Sequence, residues 1–226
     1  TVSINELYQL EKSFFGFTFN GSVVTPNEYW LLQHTTTLDI MSGIFYLSWI
    51  PVPLTFAGVL FFYRKREFFY FSLTFLLVNL LGFCIYYIYP AAPPWYVQQY
   101  GFDFLQYTKG NTAGLSRFDS YFGVEIFKGL YEKSSNVFAA MPSLHSSYPL
   151  IVLYYGIRNK LGWINFILFT ITLGIWFAAV YSSHHYVLDV LAGIVCALTG
   201  IWLFQRILHT KGWVHNAIEK AVKALS

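Results

Sequence analysis

The sequence is poor in charge. Only 11% of its 226 residues are Asp, Glu, Lys or Arg, against about 25% in an ordinary soluble domain. The net charge is +3 with no basic cluster, which excludes the electrostatic footprint of a nucleic-acid binder. Cysteine is scarce: Cys84 and Cys196 each lie inside an apolar run and read as small core residues, not as a disulfide framework. No His, Cys, Asp or Glu spacing follows a usual zinc pattern, so neither a metal nor a cofactor is expected. No cleavable signal segment and no fixed-period repeat stand out. The chain opens on Thr1, not Met, which predicts further sequence upstream.

What the chain has instead is apolar surface, 56% hydrophobic and 21% aromatic residues. Five apolar runs, 40–63, 68–89, 144–157, 163–181 and 186–208, predict spans of the roughly 30 Å hydrocarbon layer, the third being short. The expected fold is all-α, a polytopic transmembrane helical bundle forming one membrane domain over 1–226; an upstream span would make six. Pro51 and Pro53 should bend the first span. Segment 91–141 carries no span, but its aromatic content argues for an ordered, functional loop. Residues 1–35 hold Ile4, Leu7, Tyr8, Phe14 and Phe15 at helical spacing. That helix either lies on the bilayer or packs on the spans, and Asn20-Gly21 ends the segment's first part as a turn. The tail 209–226 is a second amphipathic, interfacial stretch, through Trp213, Ala217, Ile218, Ala221, Val222 and Leu225. Lys and Arg concentrate at 64–66, at 158–160 and after 206, including Lys211. The positive-inside rule puts all three in the cytoplasm and the 91–141 loop outside.

On that outer side the chemistry gathers. In YSSHHYVLD, 181–189, His185 and Asp189 are four residues apart, which puts them on one helix face about 6 Å apart along the axis. Ionisable groups at the edge of a span point to function; the alternative is a pair that merely caps the helix. His145, in MPSLHSS, stands at the mouth of another span. A helix start at Ser143 offers free N–H groups to an anion, with the hydroxyl as a donor or simply as an N-cap. Two imidazoles facing an anion permit phosphoryl displacement, one attacking phosphorus and the other handling the proton. Asp189 is expected to accept from His185 Nδ1, leaving Nε2 as nucleophile.

PSLH at 142–145 and HHYVLD at 184–189 resemble the second and third signatures of the type 2 phosphatidic acid phosphatase superfamily. That resemblance implies a metal-independent helical protein working through a phosphohistidine. His185 would be the nucleophile, Asp189 its orienting partner and His145 the general acid. Three cations of the usual signatures are replaced here by Gly82, Tyr89 and Ala179. YPAAPPWY at 89–96, GLSRFDSYFG at 114–123, VFAAMPSLHSS at 137–147 and YSSHHYVLDVLAG at 181–193 are similar to the fungal-type inositol phosphorylceramide synthases, over roughly 35–205. The compactness of the chain suggests a bacterial relative of that branch. The resemblance implies transfer of phosphoinositol from phosphatidylinositol to ceramide, releasing diacylglycerol. The site would face the periplasm from a bacterial inner membrane, or the lumen of the Golgi. A diester carries one charge and a monoester close to two, so a site short of cations suits the diester. Hydrolysis by a lipid phosphatase, and non-catalytic lipid binding or transport, are the alternatives.

Five residues are expected to meet substrate, each with a plainer reading. Arg117 is the remaining outer cation, or an ion-pair partner of Asp119. Trp95 stacks on a sugar-like ring, or anchors in the aromatic belt. Asp39 accepts from inositol hydroxyls, or favours a helix N-terminus. His184 contacts phosphate, or is a surface histidine. Ser143 donates to phosphate, or caps.

Overall fold

The computed structural model describes residues 2–132, 136–210 and 212–225, so Lys211 of the basic tail lies outside the described residues. The chain begins with α1 (Asn5–Phe15), a hairpin of β1 (Phe17–Phe19) and β2 (Ser22–Val24), and α2 (Pro26–Leu32). Asn20 and Gly21, both at positive φ, make the two-residue turn between the strands. Thr25 caps α2 by accepting from Glu28 N, while the Glu28 carboxylate accepts from Thr25 N.

The first apolar run folds as two helices, α3 (Thr36–Leu47), which starts earlier than the hydropathy suggests because Thr35 caps it, and α4 (Pro51–Tyr63). Pro51 opens α4, where its missing N–H costs nothing. α5 (Lys65–Ile88) follows directly. The loop over 91–141 is built from short helices, α6 (Pro94–Tyr100), a 3₁₀ turn (Ala113–Leu115), α7 (Ser116–Phe122) and α8 (Ile126–Tyr131). The remaining rods are α9 (Leu144–Arg158), α10 (Ile164–Tyr181), α11 (Val187–His209) and α12 (Trp213–Leu225). Apart from the hairpin, the described residues form an all-α bundle.

Four stretches are long and apolar enough to cross a membrane: Thr36–Tyr63, Lys65–Ile88, Ile164–Tyr181 and Val187–His209. The expected short span is α9, which packs against α4, α5, α10 and α11 at the centre of the bundle. Its length of roughly 22 Å, at 1.5 Å per residue, falls short of the hydrocarbon thickness.

The two ends of the bundle differ in chemistry. At one end Arg64 bonds Asn159, Arg158 pairs with Glu67, and Arg66 pairs with Glu219 of α12. At the other, α1, α2, the loop helices and the α10–α11 turn pack together. Here α1 packs on α11 with Leu7 and Glu11 buried, while Leu10 and Phe14 stay outward. Of the two cysteines, Cys196 is buried as expected; Cys84 is exposed, because it falls on the outward face of α5.

Candidate active site

The α10–α11 turn, Ser182 to Tyr186, carries two adjacent histidines and is pinned from several sides. Gly114 N donates to Ser182 O, Trp95 N to Ser183 O, and Gln98 Nε2 to Ser183 Oγ. His184 N and His185 N both donate back to Ala179 O. The start of α9 is locked to α11: Ser143 N donates to Asp189 O, and Ser147 Oγ to Gly193 O. Helices 40 residues apart in sequence thus present His145 and His185 to one point, with His145 Nδ1 3.1 Å from His185 Nε2.

The protons in this pair follow from one carbonyl. His185 Nδ1 is 3.0 Å from Ala140 O, and a carbonyl only accepts, so Nδ1 carries the hydrogen. Nε2 then bears the lone pair. Toward it His145 Nδ1 must donate, sharing that N–H with Tyr46 Oη at 3.2 Å. Burial lowers His185 to about 4, the Ala140 bond opposing the shift. The ring is therefore neutral and nucleophilic at neutral pH.

Asp189 stands differently from the expectation. Its Oδ2 is 3.6 Å from His185 Nδ1, beyond hydrogen-bond reach, and accepts instead from Tyr186 N at 2.8 Å. The carboxylate is wholly buried and Oδ1 makes no bond among the described residues. It caps α11 behind the nucleophile, while the backbone holds the tautomer. The Glu11 carboxylate caps the same helix end, accepting from Val187 N and Leu188 N. Burial pushes Glu11 up to about 7 against those two amides, which favour its charge.

The paired rings line a cavity of about 110 Å³ with His184, Trp95, Asn111, Tyr131 and Asn136. Among the described residues, no Lys or Arg lines it. His184 is buried, not a surface residue, with Nδ1 on Ser182 Oγ and Nε2 unbonded among the described residues. Burial, then its two histidine neighbours, lower its pKa. Trp95 is 5% exposed, so it is a cavity wall and not a belt anchor at the lipid boundary. Asn111, Asn136 and Tyr131 escaped the sequence reading, since nothing distinguishes an isolated loop Asn. Tyr46, fully buried with its ring tilted against both His145 and His184, escaped because a tyrosine in an apolar run reads as core.

Three expected contacts fall outside the cavity wall. Arg117 pairs with Asp39, Nε to Oδ1 at 2.6 Å, and not with Asp119. Tyr181 donates to the same Asp39 oxygen, and His34 lies 3.5 Å from the other. Asp119 accepts from Phe127 N and Lys128 N at the start of α8. Each of these carboxylates is thus engaged within the protein, as is Arg117 Nε, while Arg117 Nη2 is buried and makes no bond among the described residues. Ser143 is fully buried and caps α9, accepting from Ser146 N and Ser146 Oγ. The three replaced cations sit where a long side chain has no room or no need. A Cβ at Gly82 would lie 2.7 Å from Leu144 Cδ2, Ala179 is fully buried, and Tyr89 Oη bonds Ser3 Oγ.

Beside the site an apolar groove of about 480 Å³ runs between α5 and α11, lined by Leu81, Ile85, Met141, Pro142, Val195 and Cys196 among others. Met141 and Pro142 join it to Ala140 of the histidine cavity.

A bacterial protein named phosphoinositol dihydroceramide synthase, from Bacteroides thetaiotaomicron, is 51% identical over 90% of this chain and 67% of its own length. Inositol phosphorylceramide synthase from Candida albicans is 32% identical over 73% of this chain. The catalytic subunit from Saccharomyces cerevisiae is 30% identical over 63%. The chain spans little more than a third of these fungal relatives, 36% and 37% of their lengths. No solved structure matches it. The family model of the PAP2 superfamily matches residues 6–203, which take in both histidine motifs and the buried pair they form, and the chain belongs to that superfamily.

Proposed function

We propose that the chain is a sphingolipid synthase that moves phosphoinositol from phosphatidylinositol to a ceramide-type alcohol. The names of its bacterial and fungal relatives support this, the bacterial one favouring dihydroceramide as acceptor. The observation that carries the reading is the 3.1 Å approach of His145 Nδ1 to the lone pair on His185 Nε2, inside a cavity without Lys or Arg among the described residues.

An anionic phosphodiester enters between the rings, replacing their mutual hydrogen bond, and its charge draws one proton from solvent onto His145, making it imidazolium. His185 Nε2 attacks phosphorus. The bond to the diacylglycerol oxygen breaks, and His145 gives that oxygen its proton. A phosphoinositol group remains on His185, whose Nδ1–H stays on Ala140 O and whose developing positive charge faces Asp189. The neutral His145 then takes the proton of the acceptor's primary hydroxyl as its oxygen attacks phosphorus. His185 leaves with its Nε2 lone pair restored, and His145 gives its extra proton back to solvent as the product departs, so both rings return to their starting state. Asn111, Asn136, Tyr131 and Trp95 supply hydrogen bonds as phosphate charge shifts; burial raises the Tyr131 hydroxyl, keeping it a neutral donor. The cavity is too small for a whole headgroup, so the inositol ring extends toward its mouth, and the hydrocarbon tails lie in the apolar groove. The site faces the extracytoplasmic side, and no metal takes part.

Labelled phosphatidylinositol, offered with and without dihydroceramide, tests this. The expected product is a phosphoinositol sphingolipid that needs the acceptor and forms equally in EDTA. Free inositol phosphate, released whether or not acceptor is present, would make the enzyme a hydrolase. Loss of activity in EDTA, restored by a divalent ion, would require a metal mechanism.

A further inference from the structure

Two buried polar side chains on the N-terminal segment grip the ends of the nucleophile's turn without touching its cavity. Asn27, the second residue of α2, has no exposed surface. Its Nδ2 donates at 2.8 Å to Val180 O and at 2.9 Å to His185 O. One amide nitrogen therefore spans the turn, from the end of α10 to the nucleophile's own carbonyl. Glu11, also fully buried, accepts from Val187 N at 3.0 Å and Leu188 N at 3.1 Å, the first two amides of α11. The two grips are joined: Tyr8 of α1 donates from its hydroxyl to the same Glu28 carboxylate that completes the cap of α2. Neither Asn27 nor Glu11 is among the residues that line the histidine cavity.

We propose that Asn27 and Glu11 are positioning residues for the nucleophile, fixing where His185 Nε2 stands relative to His145. The proposal rests on the phosphohistidine reading of His185. A carbonyl and two amides flanking His185 are set by side chains about 160 to 180 positions away in sequence, so the nucleophile's backbone cannot shift without breaking a buried hydrogen bond. Leaving a buried backbone group of that kind unmet is costly, which holds a reactive ring within the tolerance that displacement demands. The N-terminal helices α1 and α2 thereby take part in placing the nucleophile.

Asn27→Asp keeps the size of the side chain but turns both donations into oxygen–oxygen repulsions; Asn27→Ala removes them. Glu11→Gln keeps the shape and one acceptor oxygen. The full chain is reconstituted in nanodiscs. Rates per folded enzyme, KM for phosphatidylinositol, and trapping of the labelled phosphoenzyme are measured beside His185→Ala. Expected is a fall in kcat and in phosphoenzyme formation of about ten- to a hundredfold for both Asn27 variants, with KM within about twofold. Glu11→Gln should show a smaller fall of the same pattern. A purely structural brace would lower the melting temperature and leave kcat per folded molecule unchanged, which overturns the proposal. If both Asn27 variants fail to fold, Glu11→Gln decides: wild-type labelling kinetics overturn the proposal, and slowed labelling at unchanged KM supports it. An active His185→Ala overturns the phosphohistidine reading and the proposal with it. An inactive, unlabelled His185→Ala beside Asn27 variants that label at the wild-type rate overturns the positioning role alone.

Discussion

The Ala140 carbonyl, 3.0 Å from His185 Nδ1, decides which nitrogen of that ring reacts. In the familiar arrangement a carboxylate does this, and converting it to an amide costs about 10⁴ in rate because the tautomer flips. Here Asp189 stands 3.6 Å away, beyond hydrogen-bond reach, and does not set the tautomer. Asp189→Asn is therefore expected to lower kcat by only about ten- to a hundredfold, well short of that 10⁴; a loss near 10⁴ would return the tautomer to the carboxylate. Burial lowers His185 from the ordinary 6.5 to about 4, so attack by the neutral ring persists into acid. The acid limb of phosphoenzyme formation should sit near pH 4, and a limb at 6.5 would mean the ring is solvated. Stability carries the same shift. Between about 4 and 6.5 the unfolded chain binds more protons at this site than the folded one, so its contribution is full above 6.5 and falls as pH drops. Glu11, raised from 4.5 to about 7, works the other way: its folded form holds the proton longer, so stability falls as pH rises through that window.

At the scale of elements, the distance between the rings is the distance between α9 and α11. Gly193 sets it. A Cβ there would collide with the Ser143 carbonyl at the start of α9 and meet Ser146 Cβ at 3.2 Å. Both partners sit on a helix buried by neighbours, so neither yields cheaply. Gly193→Val should part the helices and lower transfer by about a hundredfold, while Gly58→Ala, at a position with open space around its Cβ, should leave it unchanged. Transfer assays on the two variants at matched folded concentration check this; an active Gly193→Val would mean that the ring separation is not set at this contact. Gly82 allows the same closeness from α5, against Leu144, the neighbour of His145. The cation missing at position 82 is thus replaced by packing that holds α9 in place.

The molecule as a whole has a catalytic end and an opposite end where Arg64, Arg66 and Arg158 cluster, separated by the length of its helices. The catalytic end carries the exposed Tyr107 and the opposite end the exposed Trp213. In a cysteine-free background in intact cells, a membrane-impermeant maleimide should label Tyr107→Cys and spare Trp213→Cys. The reverse pattern would turn the site toward the cytoplasm and defeat the assignment from charge bias. Much of this organisation was legible in advance, because a bilayer forces apolar runs into helices and charge to their ends. The first run was legible only in part: Thr35 and Pro51 begin helices by local capping, which a hydropathy window smooths over.

Composition and pattern alone settled that this is a helical membrane protein, and the two short motifs settled which histidines belong together. Both are local properties, carried by runs of side chains and by four-residue spacing. Which carbonyl holds His185, that Arg117 pairs with Asp39, and that Asn27 and Glu11 reach the nucleophile's turn were decided only by the folded chain. Those contacts join residues from 45 to 176 positions apart. Their partners are chosen by how helices pack, and packing is a property of the assembled bundle that no stretch of sequence contains.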